Sequence, residues 1–203
     1  MITAAEHTVY EVLGDRFLHE IPPYQRPYAW TDEEAKQLLA DLVEAMDDAG
    51  EEPYFLGSLV LIKPAGQTIG QVVDGQQRLT TLTILGAVLR DLAGDEKERT
   101  ALDSIVYIRL NEFLAQKEAV RVLAHEDDRL FFREAIQTPG ATAKLAPAGP
   151  PKTEAQEHMW ANAMALRKEA MSLATGQRQQ LVAYLLNRCV LVVVSTESRA
   201  AAL

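Results

Sequence analysis

The chain has 203 residues, of which 48% are hydrophobic, so it can bury the core of an ordinary domain and global disorder is excluded. The longest apolar run, 189–194, is too short to cross a membrane, and the N-terminal residues lack the basic and apolar regions of a secretory signal. Cys189 is the only cysteine, so no internal disulfide can form, and we expect a cytoplasmic protein without membrane contact.

The net charge of −9 is concentrated in one segment. Residues 31–52 hold nine acidic residues and one lysine, a net charge of −8, which leaves −1 for the rest of the chain. A negative total disfavours nonspecific DNA binding, but a nearly neutral remaining surface leaves room for a local basic site.

The first predicted elements are a short strand, a proline-rich loop and an acidic helix. Alternating apolar residues predict a strand over 17–21. Residues 24–30 are predicted as a loop, because Pro27 disfavours helical backbone at the residue before it. Thr31 and Glu34 have the spacing of a capping box, so a helix should begin there with its apolar stripe on the core.

A hairpin and a central helix are predicted next. Residues 54–62 indicate a strand interrupted at Gly57, and residues 69–73 indicate its hairpin partner. The helix after Asp74 has a wide apolar face, which predicts a central position, and we expect it to stop at Gly94.

The second half is predicted to be mainly helical. Two helical pieces are expected within 101–137, and the four prolines and two glycines of 138–152 predict a flexible loop. Thr153, with Gln156 at the third helical position, predicts a long helix that ends at Gly176. The last predicted elements are a helix over 178–187 and a strand over 189–195.

The motif Asp74-Gly75-Gln76-Gln77-Arg78 is the most informative part of the sequence. It lies between a predicted strand and a predicted helix, where unpaired N–H groups and the helix dipole favour a phosphate. Arg78 can contact phosphate oxygens, Asp74 can hold a divalent cation or orient water, and Gly75 permits close approach of the backbone. In the structural alternative, Asp74 is an N-cap and Gln77 is its capping-box partner. That alternative does not explain the arginine or the second amide.

A second motif, Ile21-Pro22-Pro23-Tyr24-Gln25-Arg26-Pro27-Tyr28-Ala29-Trp30, precedes the acidic helix. Its aromatic rings can stack on a base, and Arg26 can pair with a phosphate. The structural alternative packs the rings on the adjacent helix, and it is favoured for Trp30, which has the position of a hydrophobic staple. Gln25 and Arg26 are harder to explain in that way. The four histidines lack ligand spacing, so no zinc site is proposed, and Cys189 is expected in the core.

These two motifs, with Tyr54-Phe55-Leu56-Gly57-Ser58-Leu59-Val60 between them, closely resemble the GmrSD-type restriction endonuclease N-terminal domain family. The resemblance implies an α+β fold: a small mixed sheet of the ParB/sulfiredoxin type with helices over 1–100, then a mainly helical part over 101–203, in one continuous domain. It also implies a role in anti-phage defence, within modification-dependent restriction systems in which this domain binds and hydrolyses NTP and helps to sense modified DNA.

Carried over to this sequence, the resemblance implies a set of site residues. The catalytic candidates are Asp74, Gln77 and Arg78, with Asp74 also the candidate ligand for Mg²⁺. The nucleotide-binding candidates are Tyr24, Gln25, Arg26, Gly75, Gln76 and Thr80, and the DNA-sensing candidates are Tyr24, Gln25, Arg26, Tyr28 and Trp30.

The leading hypothesis is therefore an NTP-binding, NTP-hydrolysing sensor domain. One alternative is a non-enzymatic module that recognises modified DNA. The other is a ParB-like nuclease, which is disfavoured because no histidine or carboxylate cluster accompanies the motifs. The family usually continues beyond 192–196 into further helices, so we expect a truncated chain or a split system, with DNA cleavage in a C-terminal nuclease domain or a separate subunit. A homo-oligomer remains open.

Overall fold

The fold is α+β, as the sequence predicts, and the computed structural model describes residues 2–14, 17–48, 52–64, 67, 69–109 and 118–197. The strands are Ile2–Thr8 (β1), Leu18–Glu20 (β2), Tyr54–Ile62 (β3), Ile69–Asp74 (β4), Tyr107–Ile108 (β5), Ala119–Val120 (β6), Val122–Leu123 (β7) and Cys189–Thr196 (β8). The helices are Val9–Leu13 (α1), Asp32–Asp47 (α2), Gln76–Leu92 (α3), Glu96–Val106 (α4), Arg129–Phe132 (α5), Glu154–Ser172 (α6) and Thr175–Asn187 (α7).

A mixed six-stranded sheet organises these elements, in the order β1-β8-β3-β4-β2-β7. The predicted hairpin of β3 and β4 is confirmed, since these strands pair antiparallel, whereas β8 lies parallel to β3. Strands from both sides of residue 100 share this sheet, so the two predicted parts of the chain contribute to a common core. The likeness to ParB and sulfiredoxin folds stays a prediction.

Helix α3 is central, as its wide apolar face predicts. Every residue from Leu79 to Arg90 is buried, and the helix packs on α4 and α6. Its buried hydroxyls bond within the helix, since the Thr83 Oγ1 atom donates to the Leu79 carbonyl at 2.9 Å. The polar residues of α3 are therefore compatible with full burial.

The predicted helix starts at Thr31 and Thr153 are confirmed. The Glu34 carboxylate accepts from the Thr31 backbone N–H at 2.8 Å, and the Thr153 hydroxyl accepts from the Gln156 N–H at 3.2 Å. The predicted end at Gly176 is wrong, because α6 stops at Ser172 and Gly176 lies in the first turn of α7.

The prediction of two helical pieces within 101–137 is wrong in part. The strands β5, β6 and β7 lie in this region, and β7 adds to the sheet edge by pairing parallel with β2. Short apolar runs fit a helix or a strand, and here the pairing partners are distant in sequence. Residues 110–117 lie outside the described part of the chain, and β1 and α1 were not predicted.

The predicted loop over 138–152 is anchored at its start. A 3-10 turn at Ala141–Ala143 lies against α3, where the Asp91 carboxylate accepts from the Gly140 and Thr142 N–H groups at 2.9 and 3.0 Å. The flexibility of the remainder stays a prediction.

A buried cation joins α3 to the second half of the chain. The Arg90 side chain is 1% exposed, and its guanidinium donates to Asp91 at 2.8 Å, to Asp103 at 3.3 Å and to the Gln137 carbonyl at 2.7 Å. A charge buried this deeply is tolerated only when all its partners are in place.

Replacing Arg90 by Met should therefore destabilise the fold strongly, by about 3–5 kcal/mol, because Asp91 would remain buried without its cation and Asp103 would keep only Arg109. Urea denaturation measures the change. The control is Lys36→Met, which removes a surface pair between Lys36 and Asp32 and should cost less than about 1 kcal/mol. Equal losses in the two variants would contradict this role for Arg90.

His19 should make stability depend on pH. Its ring is fully buried, with Nε2 donating to the Val12 carbonyl at 2.8 Å, and this burial lowers the pKa of His19 from 6.5 to about 4. Between these values the unfolded chain binds the proton and the folded chain does not, so stability should fall as the pH drops from 6.5 to 4, by up to about 3 kcal/mol. Urea denaturation across this pH range should show a shallower dependence for His19→Gln than for the unaltered chain. An unchanged dependence in His19→Gln would overturn the assignment.

Candidate functional site

The structure brings the two sequence motifs to one cavity, at the junction of β4 and α3. Its volume is about 300 Å³, and one wall is the loop over 24–30. The residues that line it are Gln25, Arg26, Trp30, Val73, Asp74, Gly75, Gln76, Gln77 and Arg78.

The cavity contains the N-terminus of α3, which begins differently from the structural alternative. Strand β4 runs through Asp74, and Gly75 is the N-cap with φ of +89°. A side chain at Gly75 would place its Cβ 2.8 Å from the Ser58 carbonyl oxygen, so the turn requires glycine. The capping box of Asp74 and Gln77 is therefore wrong. No side chain of the described residues caps α3, so the first N–H groups of the helix remain for a ligand.

The amide side chains of both motifs hold the loop in place. The Gln77 Oε1 atom accepts from the Ala29 and Trp30 N–H groups at 2.8 and 3.3 Å, and its Nε2 atom donates to the Pro27 carbonyl at 3.1 Å. Gln76 donates to the Arg26 carbonyl at 2.9 Å. The loop is thus fixed to the first turn of α3 by backbone contacts, which leaves the Arg26 side chain exposed at the cavity.

A directed chain of hydrogen bonds connects α6 to the same turn. The Asn162 Nδ2 atom donates to the Tyr28 hydroxyl at 2.7 Å, and Tyr28 donates in turn to the Thr81 Oγ1 atom at 2.7 Å. Thr81 donates to the Gln77 carbonyl at 2.9 Å, which fixes the direction of the whole chain. Burial raises the pKa of Tyr28 to about 12, so its hydroxyl stays protonated.

Sequence reasoning missed Asn162. It lies within the apolar stripe of α6, three residues after Met159 and four before Leu166, and it is fully buried. An amide in an apolar stripe needs a buried partner, and that rule was the available signal. Its Nδ2 atom also donates to the Trp30 carbonyl at 2.8 Å, so Asn162 fixes both Tyr28 and the end of the loop.

Arg78, in the first turn of α3, lies against a bulge in strand β3. The register of β3 shifts between Phe55 and Ser58, and Gly57 in the bulge has φ of +112°. A Cβ on Gly57 would lie 2.5 Å from the Arg78 Nη1 atom, so the guanidinium occupies the space that this glycine leaves free. In the described part of the chain, no carboxylate forms an ion pair with Arg78 or with Arg26.

Gln76 contributes a second unsatisfied group. Its side chain is buried, and its Oε1 atom has no hydrogen-bond partner among the described residues. A buried acceptor without a donor costs free energy unless a ligand or water supplies one. The cavity therefore combines an uncapped helix start, two arginines without counter-ions and one free acceptor.

A family model described as GmrSD restriction endonuclease, N-terminal domain, matches residues 9–202 of the chain. The chain belongs to this family. A comparison with curated protein sequences finds no match. Because the chain belongs to this family, it has a role in a restriction system.

The structure of this GmrSD N-terminal domain separates the predicted site residues into two groups. The predicted residues that line the cavity are Gln25, Arg26, Trp30, Asp74, Gly75, Gln76, Gln77 and Arg78. Tyr28 and Thr80 are buried, and Tyr24 is 47% exposed but does not line the cavity. The roles predicted for these three in nucleotide binding or DNA sensing stay predictions, and in this conformation the Tyr28 ring cannot stack on a base.

Two further expectations concern metals and membranes. Asp74 is exposed at the rim of the cavity, and across the described ranges no three His, Cys, Asp or Glu side chains come together as metal ligands. None of the described helices has the length and apolar composition needed to span a lipid bilayer.

The contact between Gly57 and Arg78 can be tested with a matched control. Gly57→Ala and Gly140→Ala both place a Cβ on backbone with positive φ, and each should cost about 1–2 kcal/mol. Only Gly57→Ala also clashes with a side chain, since nothing lies within 4 Å of a Cβ on Gly140. In an Arg78→Ala background, urea denaturation should therefore show a smaller cost for Gly57→Ala and an unchanged cost for Gly140→Ala. An unchanged cost for both would contradict the contact.

Proposed function

We propose that this domain binds and hydrolyses nucleoside triphosphates as the sensor of its restriction system. The observation that carries the proposal is the uncapped start of α3 beside Arg78, whose guanidinium lacks a counter-ion in the described chain. Family membership supports the restriction context.

Charge and geometry support a triphosphate as the ligand. The N–H groups at the start of α3 and the helix dipole favour phosphate oxygens, and Arg78 offers a forked pair of donors. Arg26 lines the same cavity from the loop, so phosphates bound there would have two arginines to neutralise them. The free Gln76 oxygen would accept a hydrogen bond from a hydroxyl or amino group of the nucleotide.

Hydrolysis at this site would use few side chains. Water attacks the γ-phosphorus, the bond from that phosphorus to the bridging oxygen breaks, and NDP and inorganic phosphate leave. Arg78 would stabilise the charge that develops on the phosphoryl oxygens, and Asp74 would orient the water or hold Mg²⁺. We assign Gln77 to the loop rather than to water, because both ends of its amide are engaged there.

Mg²⁺ fits the available donors. It binds through one or two carboxylates together with substrate phosphates and waters, and Asp74 offers one carboxylate at the cavity. When bound, the ion would supply charge neutralisation on the phosphates. In the proposal, Asp74 would hold the ion and Arg26 and Arg78 would bind the remaining phosphate charge.

Arg78→Ala should lower kcat/KM for NTP hydrolysis by about 100-fold or more, because it removes a donor that acts on charge in the transition state. Arg78→Lys should recover part of the loss, and Arg99→Ala, a surface arginine outside the cavity, should leave the rate unchanged. Phosphate release with each NTP measures the rates, and calorimetry with a non-hydrolysable analogue and Mg²⁺ measures binding. If no NTP binds under these conditions, the proposal is wrong.

A second candidate function is recognition of modified DNA without turnover. Tyr24 and Arg26 are exposed on a loop held rigidly beside the cavity, and a rigid loop loses little entropy on binding. DNA binding that weakens with salt and is lost in Arg26→Ala, in a protein that hydrolyses no NTP, would favour this candidate.

A further inference from the structure

We propose that the groove between α2 and the end of α6 docks a basic amphipathic helix of a partner protein. The volume of this groove is about 900 Å³, against about 300 Å³ for the cavity at the motifs, and it shares no lining residue with that cavity. The proposal does not depend on nucleotide hydrolysis.

The floor of the groove is apolar. Leu39, Ala40 and Val43 on one turn of α2 line it, together with Leu173 just beyond α6. Val43 and Leu173 are half-buried and Ala40 is exposed, so part of this apolar surface remains in contact with water. An apolar floor of this kind receives the apolar face of a helix. Helix α2 has 16 residues and is about 24 Å long, and the lining extends along it from Glu33 to Asp48, so a helical segment of similar length can lie beside it.

The rim of the groove determines the charge of the occupant. Its acidic residues are Glu33, Glu44, Asp47, Asp48 and Glu169. Lys36 is the basic residue of the lining, and it already pairs with Asp32 at 2.7 Å. The groove therefore lies in the segment that carries −8 of the net charge of −9.

This charge disfavours DNA and a second copy of the chain as occupants. DNA would be repelled by the rim. A second copy carries no net positive charge outside 31–52, where the residues sum to −1, so it complements the acidic rim less well than a basic segment does. A protein segment with lysine or arginine on one face and aliphatic residues on the other complements both the rim and the floor.

Both walls of the groove connect to the candidate site. Helix α2 starts at Thr31, directly after Trp30, and the Trp30 carbonyl accepts from Asn162 of α6 at 2.8 Å. A partner helix bound between α2 and α6 would therefore contact the two helices that adjoin the loop over 24–30.

Three synthetic 16-residue peptides test the proposal on the intact chain. One is an amphipathic leucine–lysine helix, one has the same composition in a scrambled, non-amphipathic order, and one replaces every lysine by glutamate. Fluorescence anisotropy with labelled peptides should show the first binding at least tenfold tighter than the second, and no binding of the third. Equal affinity for the first two would mean that charge alone is recognised, and would overturn the proposal.

Matched variants locate the binding. Glu44→Lys with Asp47→Lys should weaken the amphipathic peptide at least tenfold, and Val43→Ser should weaken it about threefold. The control, Glu134→Lys with Glu157→Lys, makes the same charge change on exposed residues outside the groove and should stay within twofold. Circular dichroism checks that each variant is folded. Equal weakening by the control pair, or self-association of the chain that only the groove variants abolish, would overturn the proposal.

Discussion

The carboxamide of Gln77 is the contact on which the arrangement of the site depends. It belongs to the first turn of a helix that is buried on all sides, so its position is fixed by the core. With one oxygen and one nitrogen it binds three backbone groups of the loop, those of Pro27, Ala29 and Trp30. Because a loop fixed through its backbone keeps its side chains free, Arg26 remains available at the cavity. The rigidity of the core is thereby extended to a segment without regular secondary structure.

Local features of the chain could be predicted, and features that depend on distant partners could not. The helix starts at Thr31 and Thr153 involve residues three positions apart, and both were predicted correctly. Asp74 and Gln77 have the same spacing, but the structural alternative of a capping box there was wrong, because Gly75 is the N-cap and the loop binds the Gln77 amide. The family resemblance implied that the two motifs contribute to one pocket, and residues of both motifs line the cavity. The hydrogen bonds of Asn162 were not predicted, because its partners precede it by more than 130 residues.

The buried Arg90 and the arginines at the cavity differ in how their charge is compensated. Arg90 in the core has two carboxylates and several carbonyls, so its charge is fully compensated. At the cavity, within the described chain, Arg78 has no carboxylate partner, the helix start has no cap and Gln76 has a free oxygen. Folding alone does not favour such a set of unsatisfied groups, since each has a cost that a partner would remove. Buried atoms without a partner also occur elsewhere in the described chain, for example on His19, so it is the combination with two arginines and a helix start that sets the cavity apart.

Charge is separated along this chain in a way that serves both surfaces. An acidic protein has many carboxylates that could neutralise an exposed arginine, and a pairing of that kind would block an anion site. Here the excess of acid lies within residues 31–52, while the residues around the arginines come from nearly neutral parts of the sequence. The same segregation leaves Arg78 without a carboxylate partner among the described residues and gives α2 an acidic groove, and the loop over 24–30 leads from the cavity to the start of α2.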